Sequence, residues 1–319
     1  MTKKVYRVRN WRDYNQAVVN RGSITFWFSE TCIEQWTSSE RSGGRGRPEK
    51  YSDNAIECGL TLKALLGLTF RATEGFIRSM SDLMGLNLEI PGYSLLCKRQ
   101  RTLQVKLPKK LPKPGEKLNI LVDSTGLKVY GEGEWKVRQH GTVKKRLWRK
   151  LHVALNGDSQ EIEGFELSDL GTQDWEGFEK LIEEIEQELG DVIGDGAYDR
   201  FPCYKLATTK SFELIVPPQR NARNTEERKN KISKAKREFL HGRDAVIKSI
   251  REIGRTEWKK AAGYHRRSLV ETVMFRIKTI LGSKLSSKLF ENQKVEVAIW
   301  CKIINHMTHL GMPISYVVD

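Results

Sequence analysis

The sequence predicts a mixed α/β fold with a five-stranded sheet in its C-terminal two-thirds and an α-helical domain ahead of it. Three observations predict this. After Leu118, apolar stretches of strand length follow the order strand, strand, strand, helix, strand, helix, strand. Between Ser52 and Arg101 the apolar residues recur at helical spacing only. Leu107 to Gly115 carries three prolines and no period, which makes 107–117 the linker between the two.

Residues 1–50 are read as an N-terminal arm. They are rich in aromatics (Trp11, Tyr14, Phe26, Phe28, Trp36) and end in a Gly/Arg stretch, Ser42 to Pro48, that cannot pack a core. The helical domain is placed at 51–106. Ser52 is an N-cap candidate for a helix with Ile56, Leu60, Ala64 and Leu68 on one face. A second helix carries Phe76, Ile77, Met80 and Met84 and stops at Gly85. A third runs from Tyr93 to Arg101, apolar first and basic afterwards through Lys98, Arg99 and Arg101. Three short helices with a basic last one suit a helix-turn-helix-type DNA-binding domain, and equally an ordinary helical subdomain.

The α/β domain is placed at 118–319. Leu118 to Asp123 reads as a buried strand, and Lys150 to Leu155 and Ile162 to Leu167 alternate as strands do. Trp175, Phe178, Ile182, Ile185 and Leu189 space an amphipathic helix over Asp174 to Leu189, ended by Gly190. Asp191 to Asp195 is a fourth strand, Pro202 to Ala207 a short helix and Phe212 to Val216 a fifth strand. An antiparallel start and a parallel finish in this order describe an RNase H-like mixed five-stranded sheet with flanking helices. A basic helical insertion is expected around 219–260, then helices from Tyr264 to Leu281 and from Glu291 to Leu310.

Charge separates along the chain. Lysine and arginine number 55 against 40 aspartates and glutamates, a formal net charge of +15. Pro91 to Lys150 holds 16 basic and four acidic residues, and Gln219 to Lys260 holds 14 and six, whereas Asn156 to Asp199 has 15 carboxylates and one lysine. A polyanion would be attracted to the first two blocks and repelled by the third. No stretch approaches the roughly 20 apolar residues that span a bilayer, so a soluble, cytoplasmic, nucleoid-associated protein with no membrane partner is expected. The five cysteines form no CxxC pair, and no Gly-x4-Gly-Lys-Ser/Thr suggests a nucleotide cofactor.

Chemistry at phosphate needs charge neutralisation and an activated oxygen, commonly from two divalent ions held by carboxylates. Asp123 ends the first strand and Asp195 the fourth, the latter between Gly194 and Gly196, and neighbouring strands would bring them to one sheet end. For either aspartate alone, a turn is the bland alternative. Asp191 starts its strand, and Asp199 reads as a helix cap. Tyr264, Arg267, Glu271 and Lys278, at separations of three, four and seven, share a helix face. A stripe of one aromatic, one acid and two cations is an odd core face; the alternative is a solvated charged helix. His306 and His309 lie three apart without a third ligand.

Tyr264-x2-Arg267-x3-Glu271-x6-Lys278 resembles the signature of bacterial insertion-sequence transposases of the DDE type. Asp123 to Gly131 and Gly194 to Asp199 resemble the blocks around that family's first two aspartates, and the likeness extends upstream through Trp11 to Asn15, Arg21 to Ile24 and Tyr93 to Arg99. The 75-residue spacer between Asp195 and Glu271 is too short for the large β-rich insertion of some relatives.

The resemblance implies an enzyme that binds the terminal inverted repeats of a mobile element, cuts there and joins the 3′ ends to target DNA. It implies Asp123, Asp195 and Glu271 as catalytic carboxylates holding two Mg²⁺ or Mn²⁺ ions per site. Arg267 and Lys278 would hold phosphates, with Tyr264 packing or contacting the same backbone. Trp135, Lys136, Trp148, Arg149 and Lys150 combine rings and cations beside the first catalytic strand and would grip DNA ends, unless the tryptophans are core. Glu132 and Glu134 lie close to Asp123, although a hairpin surface suits them better. The partner is double-stranded DNA, with a homodimer or higher oligomer holding two ends. A metal-dependent nuclease or resolvase without joining, or an inactive DNA-binding regulator, would carry many of the same features.

Overall fold

The computed structural model describes residues 5–38, 49–110, 113, 115–129, 147–228 and 232–318. In chain order the elements are β1 (Val5–Val8), α1 (Trp11–Arg21), α2 (Ile24–Trp27), α3 (Glu30–Glu34), α4 (Asp53–Leu65), α5 (Phe70–Leu83), α6 (Tyr93–Gln100), β2 (Leu118–Val129), β3 (Trp148–Asn156) and β4 (Ile162–Asp169). They continue as α7 (Asp174–Glu183), β5 (Leu189–Ile193), α8 (Phe201–Lys210), β6 (Glu213–Ile215), α9 (Lys234–Glu238), α10 (His241–Ile253), α11 (Arg255–Ala261), α12 (Ser268–Ile280), β7 (Lys284–Leu285), α13 (Phe290–Leu310) and β8 (Ser315–Val318). The chain forms two compact units, one of Met1–Pro108 with Ser287–Asp319, the other of Lys109–Ser286. Among the described residues no helix is long and apolar enough to cross a membrane. The Gly/Arg stretch to Pro48, and Glu132, Glu134, Trp135 and Lys136, lie outside the described residues.

In the helical unit, two hydroxyls begin helices by accepting backbone amides that would otherwise lack partners. Ser52 accepts from Ala55 at the start of α4, and Thr69 from Ala72 at the start of α5. Gly85, at φ +65°, turns the chain out of α5 as a residue without a Cβ can. Phe28, Trp36, Ala55, Cys58, Leu62, Ile77 and Met80 form the buried cluster. Phe28 and Trp36 therefore belong to a packed core, where the sequence suggested an arm over 1–50. Helix α13 also belongs to this unit, although the sequence placed it in the α/β domain; Lys302 on it pairs with Glu57 of α4. A two-stranded antiparallel ribbon joins β1 to β8, with Val5 opposite Val318.

In the other unit the strand order is β4-β3-β2-β5-β6, with β7 added beside β2. β2, β3 and β4 are antiparallel neighbours, while β5, β6 and β7 run parallel to their partners. This is the expected mixed sheet enlarged by one two-residue strand. Ile120, Val122, Ala154 and Val192 from the sheet bury against Phe178, Leu181 and Ile182 of α7 and against Tyr204 and Ala207 of α8. Burial of a large apolar side chain is worth about 1.5–3 kcal/mol, so this layer dominates the unit's stability.

Three boundaries differ from the sequence expectation. Strand β2 continues six residues past Asp123, held by β3 as far as Lys128 opposite Trp148, so Asp123 lies within the strand. Helix α7 stops at Glu183 because Leu189 is the first residue of β5, paired with Leu118. Tyr264–Arg267 forms a 3₁₀ turn that leads into α12, where a single helix was expected.

Candidate active site

The register of β2 against β5 fixes the first two carboxylates. Leu121 pairs with Ile193 at the end of the parallel ladder, so Asp123 and Asp195, each two residues further on, lie at the same end of the two strands, near enough for Asp195 to act on Asp123 electrostatically. Asp195 remains extended, with φ −83° and ψ −177°, before the 3₁₀ turn Gly196–Tyr198. Its Oδ1 accepts the Ala197 amide at 2.8 Å, and Asp123 Oδ1 accepts the Ser124 amide at 2.8 Å. Gly194 must lack a side chain: a Cβ there would stand 2.7 Å from the Tyr198 ring and 3.1 Å from Val122 Cγ2.

The third carboxylate comes from α12, which packs through buried Val270, Val273, Met274 and Ile277. Glu271 and Lys278 flank that apolar stripe, seven residues apart on one face. Arg267, ahead of the helix, donates through Nη1 to Asp123 Oδ2 at 2.8 Å and through Nη2 to Glu271 Oε1. Lys278 Nζ donates to Thr125 Oγ1 at 2.5 Å. One guanidinium thus joins the first and third acids, and an ammonium reaches β2 two residues beyond Asp123.

A fourth acid adjoins the group. Asp174, at the start of α7, accepts Ser124 Oγ at 2.7 Å and faces Lys150 Nζ at 3.3 Å. Sequence reasoning missed it because only strand pairing brings the start of α7 beside β2; the Gln173 amide on Glu176 Oε2, which opens the helix, marks a helix start and no more.

The electrostatics agree with the geometry. Burial pushes the Asp123 carboxyl above its ordinary value against the Ser124 amide and Arg267, and Asp195 adds to the rise. Burial and then Asp174, Asp123 and Asp195 push the Tyr198 phenol well up, so three acids act on one buried hydroxyl. Burial raises the Tyr264 phenol against Arg267, with Asp195 and Asp123 reinforcing it. Burial opposes the charge on Arg267, but Asp123, Tyr264, Glu271 and Asp195 together raise its pKa.

The remaining cations named from sequence fall differently. Arg149 is paired with Asp169, and Lys150 with Asp174 and the Thr172 carbonyl at 2.9 Å. Trp148 covers Gly126, where a Cβ would lie 3.2 Å from its ring, and Lys128 Nζ sits 5.6 Å from the ring centre. Tyr264 stacks near Trp258 at 6.3 Å, with Lys259 Nζ 4.9 Å over its ring. In the helical unit Arg99 is tied to Glu49 at 3.0 Å and to Asp53, while Lys98 and Arg101 are exposed. Asp199 does not cap α8, whose N-cap is Arg200; it receives Arg243 Nε at 2.6 Å and the Tyr204 hydroxyl at 3.0 Å.

Among the described residues, no three His, Cys, Asp or Glu side chains stand close enough to grip an ion. The donors of the site are nonetheless all carboxylate oxygens, the chemistry that hard divalent cations select, and a cationic group already lies between two of them. The donor set therefore fits a divalent metal.

Fold and site define an α/β protein with an acidic centre where β2 passes the end of β5. A family profile described as Transposase DDE domain matches residues 114–306, more than half of the chain, and a second of the same description matches residues 19–132. The chain belongs to this family and is a DDE transposase of the insertion-sequence type. Over 96% of this chain and 76% of the other, it is similar to a solved piggyBac transposase in a synaptic complex with hairpin DNA, at 10% identity and a TM-score of 0.39.

Proposed function

We propose that this transposase binds the terminal inverted repeats of its own element, cuts at the element ends and joins the 3′ ends to target DNA. The observation that carries the reading is the acidic group itself: Asp123 on β2 and Asp195 two residues past the end of the neighbouring β5, with Glu271 linked to Asp123 through Arg267. Asp123, Asp195 and Glu271 would hold two Mg²⁺ or Mn²⁺ ions. Bound there, such ions neutralise charge developing on a phosphate and lower the pKa of an attacking water. The Asp195 carboxylate is oriented by the Ala197 amide and that of Asp123 by the Ser124 amide, each through one oxygen. Lys278, bonded to a neutral hydroxyl, keeps its full charge for a phosphate beside Asp123. The helical unit, with Lys98, Arg99 and Arg101 at the end of α6, reads DNA as a helix-turn-helix-type domain. Two ends held together require at least a homodimer.

The test incubates the full chain with an end-containing duplex, a target plasmid and Mg²⁺. Joined product is expected. Cleavage without joining identifies a nuclease or resolvase, and end binding without any reaction identifies a regulator. Asp123→Asn, Asp195→Asn and Glu271→Gln are each expected to abolish cutting and leave end binding largely intact. Wild-type activity in any one removes that residue from the site.

A further inference from the structure

The family resemblance implies a phosphate-holding role for Arg267, yet its guanidinium is bonded to Asp123 and Glu271. Carboxylates that face one another, as Asp123 and Glu271 do across Arg267, repel unless a positive charge lies between them. A planar fork with five donors is the side chain best able to bridge two carboxylates. Arg267 does so from the mouth of the site, where its own side chain is 19% exposed and that of Glu271 54%. Its four-residue offset from Glu271 keeps the pair in reach across the junction of the 3₁₀ turn and α12. The second cation of the stripe behaves differently: Lys278 bonds the Thr125 hydroxyl. Charge compensation and phosphate attraction are therefore divided between two residues that the sequence pattern treats as equivalent.

We propose that Arg267 is a resident counter-ion of the acidic centre, occupying the place between Asp123 and Glu271 before a divalent cation enters and turning out of it when one does. This rests on the metal-binding reading of the three acids given above. Two positive groups cannot share one pair of carboxylate oxygens at contact distance, so the guanidinium and the metal compete. The competition is reciprocal: whatever factor the metal loses by displacing Arg267, Arg267 loses to the metal. A displaced Arg267 stands at the mouth of the site with its donors free, and only then can it bond a phosphate. One side chain thus links metal loading to the grip on DNA, and in the metal-free chain it offsets part of the repulsion between Asp123 and Glu271.

The test titrates Mn²⁺ alone into the full chain without DNA, followed by electron paramagnetic resonance of the free ion, with melting recorded with and without Mn²⁺. Arg267→Gln is expected to bind Mn²⁺ about ten-fold more tightly than wild type, within the usual range of coupling between competing groups. Its metal-free form should melt lower, and Mn²⁺ should restore it. Lys278→Gln removes an equal charge without vacating the carboxylates and should change Mn²⁺ affinity by less than about two-fold. Arg267→Lys keeps the charge but cannot bridge two carboxylates as a fork does, so its affinity should lie between wild type and Arg267→Gln. Unchanged or weaker binding in Arg267→Gln overturns the proposal while leaving the metal site standing. Equal gains in Arg267→Gln and Lys278→Gln also overturn it, because a general field effect would then suffice. If wild type binds no more Mn²⁺ than Asp195→Asn, the metal reading itself fails and the counter-ion falls with it.

Discussion

Gly194→Ala tests whether the second aspartate is placed by steric exclusion. The added Cβ would lie 2.7 Å from Tyr198 Cδ2 and 3.1 Å from Val122 Cγ2. Neither neighbour has room to retreat: Val122 is fully buried, and Tyr198 is 2% exposed with its ring 5.5 Å from that of Phe178. Two effects oppose each other. Alanine narrows the unfolded ensemble and would stabilise the fold by about 0.4–1 kcal/mol, while overpacking a close-packed core costs about 1–3 kcal/mol. The steric cost wins, leaving a net loss of about 1–2 kcal/mol. For a unit of this size that lowers the melting transition by roughly 2–8 °C. Cutting should fall further than stability, because a displacement of about 1 Å at a reacting group can cost about 10²-fold in rate. Gly196→Ala is the control: its Cβ would approach nothing nearer than the Pro217 carbonyl at 3.4 Å, and stability should stay within about 0.5 kcal/mol of wild type. Calorimetry of the full chain beside an end-cleavage assay reads both quantities. An unchanged or raised transition in Gly194→Ala, with cutting intact, would refute the steric account.

Arg243→Ala should destabilise the α/β unit by about 3–5 kcal/mol, since it strands Asp199, whose side chain is 4% exposed, without its charge partner; chemical denaturation measures this, and a loss below about 1 kcal/mol would make the pair incidental. Burial lowers the His152 pKa from 6.5 to about 4, so the fold favours the neutral ring: its contribution is fully present above pH 6.5 and is lost as pH falls toward 4. Between pH 7 and 4.5 that loss is about 2–3 kcal/mol, and His152→Gln should show a correspondingly shallower decline in unfolding free energy. Lys278→Ala should reduce the slope of log affinity against log salt by about one for any DNA sequence, which titration at several salt concentrations reads directly; an unchanged slope removes Lys278 from the phosphate contacts.

The parts legible in the sequence are those that local rules determine. Leu118 to Asp123 declares a buried strand through its apolar run, and Ser52 declares a helix start because its hydroxyl has a local amide to accept. The second half of β2 did not show itself: Ser124-Thr-Gly-Leu-Lys has no apolar run, and it is a strand because Thr125 meets Leu151 and Lys128 meets Trp148 on β3. The two-residue β7 exists only through its pairing with Lys128 and Val129. The β1–β8 ribbon unites chain ends that no window on the sequence can compare. At the site, the spacing of Tyr264, Arg267, Glu271 and Lys278 was visible, but the break was not: Gly263 at φ +61° starts a 3₁₀ turn before α12 begins. Spacing finds cations; it does not say which already have carboxylates.

That last gap changes what the charge pattern means. The acidic block from Asn156 to Asp199 looked like a region that a polyanion would avoid, set between two that would attract it. In the fold it supplies partners to basic residues from both sides: Asp169 to Arg149, Asp174 to Lys150, Asp199 to Arg243 and Asp158 to Arg266. The count of 55 lysines and arginines therefore overstates what the surface offers to phosphate, since an ion-paired guanidinium must break a bond before it can make one. Exposed pairs yield at about 0–1 kcal/mol, but Arg243 with Asp199 is too buried to yield at all without unfolding its surroundings. Cations that are exposed and outside such pairs, Lys98 and Arg101 among them, would meet a phosphate at least cost, and the salt dependence of binding should follow the number of such residues, not the number of basic residues in the sequence.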